Sequence, residues 1–462
     1  MTGRIAVLDI GKTNLKVALV DADTLAEVAV RRAPNTPAPD GPYPHADVAA
    51  QWDFFLSALR ELARDEAIAA VTVAAHGATA ALVDAAGELA LPVLDYEHHG
   101  PEEVAAAYDA ARPPFAETGS PRLPDGQNVG AQLFWLERRF PDAFARARHL
   151  LMWPQYFAFR LSGVAALDAT SLGAHTDLWA VHEGRPSSLV RARGWERLLP
   201  PLRRPFDRLG PIRPELAART GLAAGTAVFA GIHDSNASLL PHLLGRAAPF
   251  AVVSTGTWVI SMAVGADGRA LDPARDLLVN VNAFGDPVPS ARFIGGREYE
   301  IVRAGRAFVP TDDGRRALLA GGPLLLPSVC RGFGPFPDAT MRWTAPPATE
   351  GEAAVALAWY LALMTATGLG LVGARGPTVV EGPFARNGDF LLMLATATGR
   401  PVLAAAGEAS GTAAGAALLA RGAADLPSRA EREIRPDPDL APYAARWRDA
   451  AAAHSGEEPA GP

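Results

Sequence analysis

RIAVLDIGKTNLKVALV, Arg4 to Val20, is the stretch whose reading decides the fold. Two apolar, alternating runs are joined here by a tight polar turn. Ile5, Val7, Leu8 and Ile10 predict a mostly buried first strand, Leu15, Val17 and Leu19 line one face of a second, and Gly11 supplies the freedom that the turn needs. Asp9, Lys12, Thr13, Asn14 and Lys16 cluster at the bend. A glycine-bearing turn can aim backbone N–H groups at a phosphate oxygen, a hydroxyl such as that of Thr13 can donate to it, and a nearby carboxylate can hold Mg2+ through water. The same residues also suit a plain hairpin with a solvated turn.

A second copy favours the phosphate reading. FAVVSTGTWVISMAV, Phe250 to Val264, repeats the order of apolar run, small hydroxyl-rich turn with one glycine, and apolar run, with Gly256 in the place of Gly11. Two like hairpins opening two halves predict two similar domains that face each other and grip the phosphates of a nucleotide between their turns. That is the logic of a two-domain phosphotransferase.

The 462 residues suffice for two to three domains, and 49% hydrophobic residues suit a folded, core-forming chain. A net charge of −7, from 43 basic and 50 acidic residues without long blocks of one sign, points away from nucleic acid and from anionic membranes and towards a small-molecule partner. The single cysteine, Cys330, leaves no intrachain disulfide and no zinc pattern, as expected of a reducing, cytoplasmic compartment. The N-terminus enters a strand within a few residues and lacks the pattern of a signal peptide. Ala353 to Gly373 is uncharged and long enough to span a bilayer, but it is dilute in hydrophobicity and lacks an aromatic girdle, so a buried helix is expected. Its Gly368, Gly370 and Gly373 form a GxGxxG after a helix and before a strand, the reverse of the dinucleotide-binding order, and read as a helix exit.

Along the chain, a third strand is expected over Leu25 to Arg32, a helix over Asp47 to Asp65, and strands over Ala70 to Ala75 and Ala80 to Asp84. His76 and Gly77 follow a strand end, where α/β sheets bind ligands, although a lone histidine there can equally be structural. Asp95-Tyr96-Glu97-His98-His99 is a dense polar patch without a third metal ligand in register, and so a sugar-contact or surface loop. Gln132 to Phe140 and Ala143 to Leu161 are helical patterns, and Leu167 to Trp179 reads as a loop. Thr226 to Ile232 is a short buried strand running into His233-Asp234-Ser235-Asn236, with a helix over Leu239 to Leu244. Asp234 either caps that helix or faces a cleft as a general base.

In this order the chain resembles the FGGY carbohydrate kinases of the actin-like ATPase superfamily, over about Arg4 to Arg421. LDIGKTNLKV resembles the family's first phosphate hairpin, VAAHGATAALVD its sugar-contact strands, and LLMWPQYFAFRLSG with LDATS a long family segment. AGIHDSNAS is similar to the block of the catalytic aspartate, VVSTGTW to the second phosphate hairpin, VVEGPFARN with TGRPV to the adenosine block, and GEASGTAAGAALLA to the closing helix. HDS, SxGTW and EASGTAAG are most similar to rhamnulokinases and L-fuculokinases, which act on 6-deoxyketohexoses. The chain departs from the family at Glu381-Gly382-Pro383, where three glycines are usual, at the shorter segment between Val302 and Pro337, and at the glycine after His76.

The resemblance implies an α/β fold of two actin-like (ribonuclease H-like) domains with a nucleotide and sugar cleft between them. A sugar domain over 1–245, a nucleotide domain over 246–434 and a helix and tail over 435–462 are expected. It implies ATP and Mg2+, a small sugar as partner, and a possible homodimer. Asp234 takes the catalytic role, Asp9 holds Mg2+ through water, and Gly11, Lys12, Thr13, Asn14, Lys16, Gly256 and Thr257 surround the phosphates. Gly382, Arg386, Asn387 and Gly411 border the nucleoside, and His76, Gly77, Asp95, His233 and Asn282 the sugar. A 6-deoxyketohexose such as L-rhamnulose or L-fuculose is the expected acceptor, with xylulose, ribulose or glycerol as alternatives. The same fold also serves non-catalytic nucleotide switches and sugar sensors, but a binding-only protein has no need to keep both Asp9 and Asp234.

Overall fold

A computed structural model describes residues 3–405, 411–422 and 431–456. The chain forms two compact bodies. The first comprises Met1–Gly245, Val279–Pro287 and Ala409–Pro427, and the second Arg246–Leu278, Val288–Glu408 and Ser428–Pro462. The chain therefore returns to the first body twice after Gly245, whereas the sequence reading assigned everything beyond 245 to a second domain and a tail.

In the first body, strand Arg4–Ile10 pairs antiparallel with Asn14–Asp21, which pairs antiparallel with Glu27–Pro34. On its other side Arg4–Ile10 runs parallel to Ile68–Ala75, and that strand runs parallel to both Ala227–Phe229 and Ile232–His233. The second body repeats the plan. Phe250–Thr255 pairs antiparallel with Val259–Val264, which pairs with Pro287–Phe293, while Phe250–Thr255 runs parallel to Thr378–Glu381 and that strand to Val402–Ala405. Three antiparallel strands followed by parallel additions, twice over, are the two ribonuclease H-like sheets of the actin-like fold.

Burial on both faces explains why these strands read as nearly continuous apolar runs. Helix Val48–Leu62, capped by the Asp47 carboxylate accepting from the Ala50 N–H, brings Trp52, Phe55, Leu56 and Leu59 to the face that holds Ala6, Leu8 and Ile10. The opposite face, with Ile5 and Val7, is covered by helices Asp234–Gly245 and Gly411–Arg421. These two helices touch backbone to backbone. A Cβ on Gly415 would stand 1.7 Å from the Ala237 carbonyl oxygen, and the Ser238 and Thr412 hydroxyls bond at 2.9 Å beside it. Residues Gly407 to Ser410, which begin the expected closing segment, lie outside the described residues.

The returning segment Val279–Pro287 is seated on two more glycines. Cβ atoms on Gly119 and Gly173 would stand 2.4 Å and 2.3 Å from the side chains of Val279 and Val281. Phe284 of the same segment stacks on Phe206 at 5.7 Å.

Three local expectations need correction. The single helix read over Ala143 to Leu161 is a helix Pro141–Arg146, a strand His149–Met152 and a helix Trp153–Ser162. Leu150, Leu151 and Met152 pair with Ala80–Val83, so a tertiary ladder overrides the local helical pattern, and Pro154 restarts the helix in its first turn. The strand read over Thr226 to Ile232 is interrupted, because Gly231 sits at φ +87° with the Val73 carbonyl and Pro154 close beside it. The helix expected from Leu239 begins at Asp234.

In the second body, helix Glu350–Leu371 is long and apolar enough to cross a membrane by composition, but every residue from Glu352 to Thr365 is buried. A helix apolar all round is a core helix when neighbours surround it. Here Trp359 meets Tyr443 at a ring distance of 4.6 Å, and Trp447 on helix Ala441–Ser455 donates its indole N–H to the Leu325 carbonyl at 2.7 Å. Gly368 and Gly370 lie within the helix and Gly373, at φ +68°, follows it as the exit.

Helix Gly295–Arg303 sends Glu298 into this core, where its carboxylate accepts from the Cys330 N–H and the Tyr360 hydroxyl, both at 3.0 Å. Burial pushes this carboxyl up to about 7, against the pull of the two hydrogen bonds.

Two predictions follow from this packing. Gly415→Ala should lower stability by about 1–3 kcal/mol through overpacking against Ala237. Gly370→Ala, in an exposed helical position with open space around it, should raise stability by about 0.5–1 kcal/mol. Urea midpoints read both, and equal effects at the two glycines would contradict the close helix contact. Glu298 gives a pH signature. Its folded-state pKa lies above the 4.5 of an unperturbed side chain, so stability is greatest below that value and falls as pH rises to about 7. Between pH 5 and 8 the wild type should lose roughly 2–3 kcal/mol relative to Glu298→Gln, at about 1.4 kcal/mol per pH unit. A constant difference over that range would mean that the carboxyl titrates normally.

Candidate active site

Asp9 shares a strand face with Ile5 and Val7, the face covered by the helix that starts at Asp234. The neighbouring parallel strand carries Ala75 opposite Ile10 and continues with the His76 N–H donating to the Ile10 carbonyl at 3.0 Å. On its far side His233 is in register with Ala75, so Asp234 follows level with His76. Three adjacent parallel strands thus deliver Asp9, His76 and Asp234 at their carboxyl ends, where open α/β sheets bind ligands.

Electrostatics link the three. Burial pushes Asp9 up to about 6, opposed by the Lys16 ammonium 3.9 Å away and reinforced by the negative charge of Asp234. Asp234 is likewise pushed up by burial and pulled back by His76 and by hydrogen bonds from Ser235. Burial holds His76 below the ordinary histidine range, and its Nδ1 bonds the Gly77 carbonyl at 2.8 Å. An upshifted carboxylate that keeps part of its surface open, as Asp234 does at 32% side-chain exposure, is a stronger base than a solvated one and remains reachable.

The loop behind Asp234 is held from below. Asp168, fully buried, accepts from the N–H groups of Thr170 and Ser171 and from the Thr170 hydroxyl. Thr170 Oγ1 in turn accepts the His233 N–H at 3.1 Å. Gln155 donates its amide to the carbonyls of Ala230 and Gly231. Sequence reading took Leu167 to Trp179 as a loop and missed this support. The signal was the Asp-x-Thr-Ser spacing, which caps the short helix Ala169–Leu172.

Of the turn residues, Gly11 closes the hairpin with its N–H on the Asn14 carbonyl at 3.0 Å. Thr13 and Asn14 are exposed and bonded to each other at 2.9 Å. Lys16 pairs with Glu27 at 2.8 Å. Lys12, expected on the phosphates, is ion-paired with Asp95, lies 3.4 Å from Glu97, and sits over the Tyr96 ring at 4.4 Å. Tyr96 also meets His76 edge-on at 5.5 Å, a neighbour that sequence reading did not single out. Lys12, His76, Asp95, Tyr96, Gln51 and Trp153 line a cavity of about 30 Å3.

Gly77 packs closely between two histidine rings. A Cβ there would lie 3.2 Å from His233 Nε2 and 3.3 Å from His175 Nε2. Asn282 is held within its own turn. It is 2% exposed, its carbonyl oxygen accepts from the N–H groups of Phe284 and Asp286, and its amide donates to the Asp286 carboxylate. Its side chain takes part in a turn within the segment Val279–Pro287.

The second body holds a separate cavity of about 1100 Å3, lined by Gly256, Thr257, Arg297, Tyr299, Phe384 and Arg386 among others. Glycines shape its wall. A Cβ on Gly296 would stand 2.0 Å from the Gly256 carbonyl oxygen, and one on Gly382, at φ +82°, 2.0 Å from that of Thr255. Asn387 lines the cavity while capping helix Gly388–Thr398 through the Phe390 N–H. Gly411 opens helix Gly411–Arg421 of the first body, so the four residues expected to border the nucleoside do not all belong to one body.

Comparisons with known proteins bear on the family and the fold. Residues 4–241 match the N-terminal domain of the FGGY family of carbohydrate kinases, and residues 247–429 match the carbohydrate kinase FGGY C-terminal domain. A carbohydrate kinase from Novosphingobium aromaticivorans superposes with a TM-score of 0.90 at 38% identity, covering 98% of this chain and 99% of that one. A ligand-bound xylulose kinase from Lactobacillus acidophilus shares the fold, with a TM-score of 0.78 at 17% identity over 98% of this chain and 99% of the other. L-fuculokinase of Salmonella typhi is 28% identical over 273 residues, 56% of each chain, so this chain spans a little over half the length of that curated relative. With both family domains matched in order, this chain belongs to the FGGY family of carbohydrate kinases.

Proposed function

We propose that the protein is an ATP-dependent carbohydrate kinase that phosphorylates a primary hydroxyl of a small ketose. The observation that carries the reading is the convergence of Asp9, His76 and Asp234 at the ends of three adjacent parallel strands. Asp234 accepts the proton of the sugar hydroxyl as that oxygen bonds to the γ-phosphorus and the bond to the β–γ bridging oxygen breaks, with ADP leaving. His76 and Asp95 hold hydroxyls of the sugar. The Gly11 turn with Thr13, and Gly256 with Thr257, are assigned to the phosphates, and the cavity beside Arg386 and Asn387 to the nucleoside.

Mg2+ fits the residues present. Asp9 is a carboxylate driven up to about 6 by burial, which a neighbouring cation would relieve. Among the described residues no three or more His, Cys, Asp or Glu side chains gather as a metal site, which suits an ion held mainly by phosphate oxygens and water. When bound, the ion neutralises charge on the phosphates.

The acceptor is assigned to the 6-deoxyketohexoses, L-fuculose or L-rhamnulose. The support is the HDS and STGTW segments and the likeness to an enzyme named L-fuculokinase. In a coupled ADP-release assay with ATP and Mg2+, one of these ketoses should give a higher kcat/KM than xylulose, ribulose or glycerol. Glycerol or a pentulose as the better substrate would overturn the assignment.

Asp234→Asn should reduce kcat on the order of 10²-fold or more with little change in the sugar KM, because asparagine keeps the shape and hydrogen bonding but takes up no proton. As a first-turn helix residue asparagine would serve nearly as well, so folding should survive. A folded variant with near-wild-type kcat would exclude Asp234 as the base.

A further inference from the structure

Two buried side chains of the first body carry polar atoms that have no hydrogen-bond partner among the described residues, and both side chains line the cavity of about 30 Å3 beside His76. They are Gln51, 3% exposed near the start of helix Val48–Leu62, and Trp153, 1% exposed as the first residue of helix Trp153–Ser162. The unpartnered atoms are Gln51 Oε1 and Trp153 Nε1. A buried polar atom without a partner is destabilising, so two of them on one cavity need a physical reason.

The main chain sets the polarity of Gln51. The Gly11 carbonyl can only accept, so the Asn35 side-chain nitrogen donates to it, at 2.7 Å, and Asn35 Oδ1 is left as an acceptor. Gln51 therefore presents its nitrogen to that oxygen, at 2.8 Å, and keeps Oε1 as its unpaired end. The Asn35 main-chain N–H is bonded to the Thr13 carbonyl at 2.9 Å, so the whole chain of amides is anchored in the first hairpin turn. Trp153 needs no such assignment, because an indole N–H only donates. Its ring is held by packing, stacked on Tyr156 at 5.5 Å and edge-on to Phe157 at 4.8 Å.

One fixed acceptor and one fixed donor on a small cavity are complementary to a group that donates and accepts at once, which a hydroxyl does. A carbonyl would leave Gln51 unpaired, an ammonium would leave Trp153 unpaired, and a methyl group would leave both. The volume suits one oxygen atom and little more. His76, Asp95 and Tyr96 form other parts of the same wall, and His76 is linked electrostatically to Asp234.

We propose that Gln51 and Trp153 form a hydroxyl subsite for the sugar, in which a secondary hydroxyl of the ketose donates to Gln51 Oε1 and accepts from Trp153 Nε1. The proposal rests on the reading of the protein as a ketose kinase and adds two specificity-determining residues to it. A ketose without a hydroxyl at that carbon would bury both polar atoms unpaired, and sites built to bond a hydroxyl discriminate strongly against analogues that lack it.

The test measures sugar binding to the full chain by calorimetry, without nucleotide, for L-fuculose, L-rhamnulose and D-xylulose and for their analogues lacking one secondary hydroxyl at a time. For a ketose that binds the wild type, one analogue should bind about 10- to 100-fold more weakly than its parent. Trp153→Phe keeps an aromatic ring without the N–H. In it the parent should lose about 10-fold in affinity, and the penalty of that one analogue should shrink to within about threefold. Gln51→Met, close in size and without the acceptor, should do the same. In enzyme labelled with 15N-tryptophan, the Trp153 indole N–H, identified by its loss in Trp153→Phe, should move downfield when the ketose saturates the site. A full penalty retained in both variants, or an indole resonance unmoved by bound ketose, overturns the subsite and assigns the pair to a structural water. Failure of every ketose to bind the wild type overturns the ketose reading and the subsite together, so the two failures are told apart.

Discussion

Everything in the first body depends on the parallel pairing of Arg4–Ile10 and Ile232–His233 against the two edges of Ile68–Ala75. A strand alternates faces with each residue, so a slip of one position would send Asp9 or Asp234 to the opposite side of the sheet. The register is fixed because both faces are buried: Leu8 and Ile10 are committed to the side of helix Val48–Leu62, and Ile5, Val7 and Ile232 to the other. The polar residues at the strand ends inherit this commitment. Hydrophobic packing over the whole sheet is thereby converted into the placement of a few carboxylates and an imidazole.

The fold was legible because it is written in strongly periodic segments. The two hairpins, the helix capped by Asp47 and the buried helix Glu350–Leu371 all carry patterns that local reading recovers. What failed was local reading where tertiary pairing decides. Leu150 to Met152 sit inside a helical pattern and become a strand only because Ala80–Val83 offers a ladder. Asn282 was expected beside the sugar from the family resemblance, and nothing in the sequence reveals that its side chain meets Asp286 in a turn. Lys12 is ion-paired with Asp95, a partner far along the chain that its place in the turn does not reveal.

Second-layer contacts were the least legible. The hydroxyl of Thr170, the amide of Gln155 and the ring of Tyr96 act on residues distant in sequence; the Asp-x-Thr-Ser spacing announces the cap at Asp168 but not these long-range contacts. They nonetheless hold the main chain before Asp234 and the ring of His76. Preorganised donors around an ionisable group cost no rearrangement at the moment of reaction, which is where much of an enzyme's electrostatic advantage arises.

The return of Val279–Pro287 and Ala409–Pro427 to the first body has an evolutionary reading. Although the two sheets look like copies, neither body is a contiguous cassette. A chain ended at Gly245 would lack the helix Gly411–Arg421 that covers one face of its sheet, and would leave Gly119 and Gly173 without the valines that fill the space above them. Recombination at a single joint therefore cannot exchange one half for that of a relative. Such lineages should diversify by substitution and by changing loops within an intact frame, and grafting a new acceptor specificity would require moving several interleaved pieces at once.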